Sequence, residues 1–221
     1  MASSVSPKRL LFRQFAAVAK AVAHEHRLEL LEALAQGERS VEALADCTGL
    51  SVANASQHLQ RMRRAGLVET RRDGKLIHYR LTGVAVLDLI AALTRIGESH
   101  VAEVEKIVRT YFDSRDAMEP VSRAELMTRM KTGDVQVLDV RPADEFAMGH
   151  IPGAVNIPLA QLKRKLAMLD PDKEVVAYCR GPWCVLSFDA VALLRGQGYR
   201  VRRLEGGLPE WRAADLPVEA T

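Results

Sequence analysis

Near residue 113 the hydrophobic rhythm of this chain changes, and that change limits the fold more than any other feature. Before it, apolar residues recur at helical spacing, as in Leu28, Leu30, Leu31 and Leu34 ahead of Gly37. After it, short β-rich runs alternate with helical stretches, the mark of an α/β domain with a parallel sheet. A chain of 221 residues has room for two domains of about 100 residues each. The break falls in Asp113-Ser-Arg-Asp-Ala-Met-Glu-Pro120, which is polar and closes on a helix-breaking proline. The expected organisation is a mainly α domain over 1–112, a linker over 113–120 and an α/β domain over 121–221.

Local signals fill in both halves. Ser40 is placed to cap a short helix that Thr48-Gly49 ends, and Ser51 to cap a second one running to about Ala65. Strands are predicted at 67–72 and 76–81 around Asp73-Gly74, a strong hairpin signal. Val86, Ile90, Leu93, Val101, Val104 and Val108 then predict one long helix from about Val84 to Phe112 with an apolar stripe. In the second half, strands are predicted at 135–139, 155–157, 175–178 and 200–204. Ser122-Arg-Ala-Glu125 reads as a capping box.

Two short helices joined by a Gly-containing turn make a helix-turn-helix, and the hairpin behind them a wing. Residues 51–80 hold seven Lys/Arg against two Asp/Glu, a local excess that suits a phosphate backbone. On the second helix, Leu59 and Met62 are expected to face inward. Val52, Asn54, Ala55, Gln57, His58 and Arg61 are expected on or near the outer face. Asn and Gln can make bidentate contacts to adenine, and a helix N-terminus favours phosphate. Ser51, Asn54, Ser56, Gln57, His58 and Arg61 are therefore candidate DNA contacts. Arg71, Arg72 and Lys75 near the wing tip are candidates for flanking phosphates or the minor groove.

The run Gly49-Leu-Ser-Val-Ala-Asn-Ala-Ser-Gln-His-Leu59, then Arg63-Arg-Ala-Gly-Leu-Val68 and Gly74-Lys-Leu-Ile-His-Tyr-Arg-Leu81, resembles the ArsR-type winged helix-turn-helix over roughly residues 10–112. The resemblance implies a homodimer, held by terminal helices such as 84–112, that binds a double-stranded inverted-repeat operator and represses. Metal-sensing members carry paired ligands on the last helix or a Cys-x-Cys pair near the first reading helix. Here Asp88, His100 and Glu103 are suggestive, but Ile90 stands where a histidine is expected, His100 is out of phase by one residue, and Cys47 stands alone. His24 and His26, two apart on a helix, are not expected to share a face. No metal is assigned, and no cofactor is expected.

Three cysteines do not suit a secreted disulfide framework. No apolar run approaches the roughly 18 residues of a membrane span, and MASSVSPKRLLFRQF reads as no export signal. A cytoplasmic protein without membrane contact is the expectation. Tyr178-Cys179 ends an apolar run, and Arg180-Gly-Pro-Trp-Cys184 turns into a predicted helix near Val185. The helix dipole and Arg180 are expected to favour thiolate at Cys179. The backbone of Arg180, Gly181 and Trp183 offers N–H groups to an anionic persulfide.

Two flanking motifs give that loop a family. Asp139-Val-Arg-Pro-Ala-Asp-Glu-Phe-Ala-Met-Gly-His-Ile-Pro-Gly-Ala-Val-Asn-Ile-Pro158 and Leu204-Glu-Gly-Gly-Leu-Pro-Glu-Trp211 resemble the signatures of the rhodanese family. The resemblance implies a sulfurtransferase fold in which Cys179 is catalytic and accepts sulfane sulfur, with Asp139, Arg141 and Glu145 bracing the loop. The sequence departs from the pattern at Cys184, where a basic residue is usual, and at Pro182, which removes one N–H. A second thiol there permits a Cys179–Cys184 disulfide or polysulfide bridge, subject to geometry. Val185 and Leu186 provide no arginine to close a longer loop, so phosphate-ester hydrolysis is not expected.

Three readings follow. The leading one is a repressor whose rhodanese half takes sulfur from a sulfane donor, passes it to a thiol acceptor and couples sulfur or redox state to DNA binding. The second is an active sulfurtransferase merely tethered to DNA. The third is a rhodanese fold kept as a thiol-based binding module for an oxidant or a metalloid such as arsenite.

Overall fold

The computed structural model describes residues 6–113 and 120–220; residues 114–119, the body of the expected linker, lie outside the described residues. The chain divides into two compact units, Met1–Val86 and Leu87–Thr221. This division precedes the expected linker by the length of the terminal helices. Only Val86 of the helix Val84–His100 is buried, so that helix adds little to the first core.

In the first unit, α1 (Pro7–Val22) opens on a proline at its first position, where a missing N–H costs nothing. α2 (Glu25–Gln36), β1 (Arg39–Ser40), α3 (Val41–Thr48) and α4 (Val52–Arg64) follow, then β2 (Val68–Asp73) and β3 (Leu76–Leu81). Ser40 and Ser51 cap their helices by accepting from the Ala43 and Asn54 amides, each at 3.3 Å, an interaction worth about 1 kcal/mol per helix. Asp73 stands opposite Leu76, which leaves Gly74 and Lys75 as a two-residue loop. Gly74, at φ 59°, supplies the left-handed backbone that such a loop demands. β1, absent from the sequence reading, pairs with His78 and Tyr79 and completes a sheet of order β1-β3-β2. The core gathers Leu30, Leu31, Leu34, Leu44, Leu59 and Met62 under Tyr79. Ala55 corrects an expectation: it is fully buried, because Ala55, Leu59 and Met62, at i, i+4 and i+7, form the inward stripe of α4.

The second unit begins within α5 (Val84–His100), at Leu87, and continues with α6 (Ala102–Ile107) and a π-helical turn, Val108–Asp113. The expected single helix over 84–112 is thus broken, at Val101, whose φ of −111° and ψ of 107° are extended. Gly97 is the weak point. It has no side chain to stiffen the turn, and Val104 Cγ2 lies 3.8 Å from the place its Cβ would take.

The remainder is an α/β layer structure: α7 (Arg123–Thr132), β4 (Val135–Asp139), α8 (Ala143–Ala147), β5 (Val155–Asn156), α9 (Leu159–Leu162), β6 (Glu174–Tyr178), α10 (Val185–Gly196), β7 (Val201–Arg203) and α11 (Leu208–Ala213). The four strands are parallel, in the order β5-β4-β6-β7. Side chains alternate across the sheet, as strand pleating requires. Leu138, Val175 and Ala177 join the core with Ala190, Val191 and Leu194 of α10. Val135, Val137, Val176 and Tyr178 face the other way, toward Leu126 and Trp211. Coverage on both faces explains why these strands read as continuous apolar runs. The expected capping box is half formed. Ser122 accepts from the Glu125 amide at 3.2 Å, but the Glu125 carboxylate is drawn away to Arg202 at 2.6 Å and Arg129 at 3.3 Å.

Candidate functional site: the reading face and the cysteine loop

On α4, Asn54, Gln57 and Arg61 are exposed, and Ser51 stands exposed at the N-cap. Ser56 is half-buried, and its hydroxyl accepts from Gln60 Nε2 at 3.3 Å. Between α4 and the wing runs a cleft of about 680 Å³ lined by Ser56, Gln60, Arg63, Arg64, Arg72 and Tyr79. Three guanidinium groups on one cleft concentrate positive potential where a phosphate backbone would lie. Sequence reasoning chose Arg72 but missed Arg63 and Arg64. Their signal was present, since they sit one turn beyond Gln60 on the same helix.

Arg71 is engaged within the protein. Its guanidinium is held by Glu38 at 2.6 Å and by Asp73 at 3.4 Å, and the Glu38 hydrogen bond raises its pKa first of all. It ties β2 to the residue just ahead of β1, while Lys75 stays exposed at the tip. His58 differs from its expected placement. Instead of facing outward it turns toward α2, with its ring centre 4.6 Å from that of His24 and 6.0 Å from that of His26. His24 is an N-cap in extended conformation, and its Nδ1 accepts from the His26 amide at 3.2 Å, which brings those two rings to 5.3 Å. The expectation that they share no face fails because His24 lies outside the helix. Burial, followed by the charges of His24 and Arg27, lowers the His58 pKa. Among the described residues, no group of three His, Cys, Asp or Glu side chains is arranged to hold a metal ion.

The cysteine loop leaves the C-terminal end of β6, where open parallel sheets present their ligand sites. Arg141, fully buried, donates from Nε to both oxygens of Asp139 (3.0 and 3.1 Å) and from Nη2 to the Gly149 carbonyl at 2.8 Å. The buried Glu145 carboxylate accepts from Arg180 Nε (3.1 Å to each oxygen) and Nη2 at 2.7 Å. Arg180 is therefore fastened to α8. Gly207 closes the loop from the far side: a Cβ there would fall on the Cys179 carbonyl oxygen and 2.5 Å from the Gly181 nitrogen. That close approach is why the Leu204-Glu-Gly-Gly stretch needs glycine at 207. Trp183 is half-buried, and its ring centre lies 5.1 Å from that of Phe112 in the same unit; Phe112 also meets Phe188 at 5.0 Å.

The two thiols are not equivalent. Cys179 is wholly buried, while Cys184, at the N-cap of α10, is partly exposed. Around Cys179 Sγ stand the Ser187 hydroxyl at 3.3 Å and the carbonyls of Cys184 and Gly181 at 3.4 and 3.7 Å. Burial, and then the neighbouring Cys184, push the Cys179 pKa well up. The hydrogen bond from Cys179 pulls Cys184 down to about 7 against the effect of burial, with help from the Arg180 and Leu186 amides and the Arg180 charge. This corrects the expectation of a thiolate at Cys179. The Arg180 charge is spent on Glu145, and what reaches the sulfurs favours S⁻ on Cys184. Cys47 is exposed on α3 in the first unit.

A rhodanese-like domain family matches residues 122–214, and a helix-turn-helix domain family matches residues 22–71. The HTH-type transcriptional regulator Rv0324 of Mycobacterium tuberculosis is 44% identical over 219 residues, covering 99% of this chain and 96% of its own. A sulfurtransferase of Allochromatium vinosum is 38% identical over 90 residues, 40% of this chain and 82% of its own. Among solved structures, the homodimeric winged helix-turn-helix DNA-binding domain of Mb0332, a possible ArsR-family regulator from Mycobacterium bovis, is 42% identical. It covers 46% of this chain and 94% of that one, with a TM-score of 0.42. Among the described residues no helix is long and apolar enough to cross a membrane. With similarity running from end to end, this chain belongs to the HTH-type transcriptional regulators in which an ArsR-like winged helix-turn-helix is followed by a rhodanese-like domain.

Proposed function

We propose that this regulator is a cytoplasmic repressor, working as a homodimer on a palindromic operator, whose rhodanese-like domain accepts sulfane sulfur on Cys179 and thereby changes DNA affinity. The observation that carries this reading is the pair of hydrogen-bonded thiols in a braced loop, on the same chain as a basic reading cleft. Exposed apolar residues on α1 and α5, among them Leu11, Phe12, Phe15 and Ile96, support a dimer that covers them. The packing of Trp183 against Phe112 supports communication, because it sets the chain neighbour of Cys184 against the π-helical turn that follows α6.

The test is binding to DNA from the chain's own promoter region, measured by fluorescence anisotropy with and without polysulfide. The parent, Cys179→Ser, Cys184→Ser and Cys47→Ser are compared. A coupling of 1–3 kcal/mol changes affinity by about 5- to 150-fold. That change is expected in the parent and in Cys47→Ser, and is lost in both loop variants. Equal affinity in every sample, treated or not, refutes the coupling; persistent sulfur transfer in those samples then favours a sulfurtransferase merely tethered to DNA.

A further inference from the structure

We propose that sulfur enters the loop at Cys184, not at Cys179, and is handed inward to Cys179 as the second step of a two-cysteine relay. The inference rests on the reading of Cys179 as the residue that finally holds the sulfane sulfur, and it assigns the attacking group for that reaction.

Access is the first argument. A nucleophile must reach the outer sulfur of a donor, and Cys179 presents no surface at all, whereas Cys184 is partly exposed. Proton placement is the second. Three acceptors surround Cys179 Sγ: Ser187 Oγ and the Gly181 and Cys184 carbonyls. The Ser187 and Gly181 contacts favour the charged form, but complete burial and the neighbouring Cys184 outweigh them, so this sulfur keeps its proton. Cys184 accepts the hydrogen bond from that thiol and stands at the head of the twelve-residue helix α10, where negative charge is favoured. Its thiolate is the stronger candidate for attack at neutral pH, and its depressed pKa agrees. Position is the third. Cys184 takes the place of a basic residue that would have attracted an anionic donor, so a neutral or weakly charged persulfide meets a nucleophile there instead of a counter-charge.

The chemistry balances without an external oxidant. In the first step Cys184–S⁻ attacks the outer sulfur of a low-molecular-weight persulfide R–S–SH. The new S–S bond forms, the donor's S–S bond breaks, and its electron pair leaves as RS⁻, giving Cys184–S–SH. In the second step Cys179 sulfur attacks the outer sulfur of that persulfide. The Cys184–sulfur bond breaks, the Cys179 proton passes to the released Cys184 sulfur, and Cys179–S–SH remains in the buried pocket. Ser187 Oγ links the Cys179 thiol to the Cys184 carbonyl, at 3.3 and 3.2 Å, and so ties the two residues to one another.

The test mixes the full chain with cysteine persulfide at neutral pH, quenches at intervals and maps the added sulfur by peptide mass spectrometry. In the parent, sulfur is expected on Cys184 before Cys179. Cys179→Ser is expected to accumulate one sulfur on Cys184, and Cys184→Ser to load Cys179 about tenfold more slowly, since the external donor must then reach a wholly buried sulfur. The order of loading in the unmutated chain keeps the test independent of any effect of substitution on folding. Loading of Cys179 in Cys184→Ser at the parent rate, or Cys179 loading ahead of Cys184 in the parent, overturns the relay while leaving Cys179 as the sulfane acceptor. Absence of added sulfur on either residue in every chain overturns both.

Discussion

Replacing Arg141 by methionine tests the internal logic of the rhodanese half. Arg141 and Asp139 are each completely removed from solvent. Burial works against the arginine charge, yet the Asp139 hydrogen bonds and charge more than offset it and raise the Arg141 pKa. With the guanidinium removed, the Asp139 carboxylate has lost its paired charge and the Gly149 carbonyl a donor. Breaking one side of a buried pair costs about 3–5 kcal/mol, whereas replacing both partners by apolar groups of similar volume is often close to neutral. Urea unfolding followed by tryptophan fluorescence isolates the effect, because both tryptophans, Trp183 and Trp211, belong to the second unit. With a slope of about 2 kcal/mol per molar urea, the single variant should lose about 1.5–2.5 M in midpoint. The double variant Asp139→Leu, Arg141→Met should recover at least half of it. A single variant with an unchanged midpoint refutes the assignment of a buried ion pair. A double variant as damaged as the single one places the cost in packing, not in the unpaired charge.

Other expectations are simpler to check. Arg64→Ala and Arg72→Ala should each reduce the salt dependence of DNA binding by about 0.9 in log–log slope, and Arg71→Ala by less, since Glu38 already holds it; equal slopes for all three contradict the role of the cleft. Asn54→Ala or Gln57→Ala should instead relax sequence preference, read by competition with mismatched operators. Alkylation of Cys184 by iodoacetamide should rise with pH through its depressed value of about 7, because only the thiolate reacts, falling about tenfold from pH 8 to pH 6; a midpoint near 9 refutes the asymmetry of the two thiols. Gly207→Ala should abolish sulfur loading while leaving operator binding in place, as its Cβ displaces the Cys179–Gly181 backbone.

Much of the architecture was legible because it depends on neighbours in the chain. The caps at Ser40, Ser51 and Ser122 each reach an amide three residues on, and the Gly74 hairpin and the apolar strand runs are local in the same sense. What escaped is long-range. β1 has only two residues and exists because β3 offers it a partner. Glu38 captures Arg71 from 33 residues away. The approach of His24 to His58 depends on one extended residue ahead of α2. The break at Val101 lay inside an unbroken apolar stripe, with Gly97 its only sequence sign. In the cysteine loop the residues themselves were identifiable, but the acidity of each thiol was not. That is decided by how deeply each sulfur is buried and by the second thiol beside it, a property of tertiary packing that residue identity does not encode.

The contact at Gly207 also orders events in time. The peptides around Cys179 and Gly181 are pressed against a residue more than twenty positions downstream, and Leu208 donates its amide to the Cys179 carbonyl at 3.3 Å. A polypeptide emerges from the ribosome N-terminus first and folds domain by domain. The reading helix and wing are therefore complete while the thiol loop still lacks its far wall. During that interval the winged helix has all of its residues, while the loop from Cys179 to Cys184 waits for the last strand and helix to dock against it.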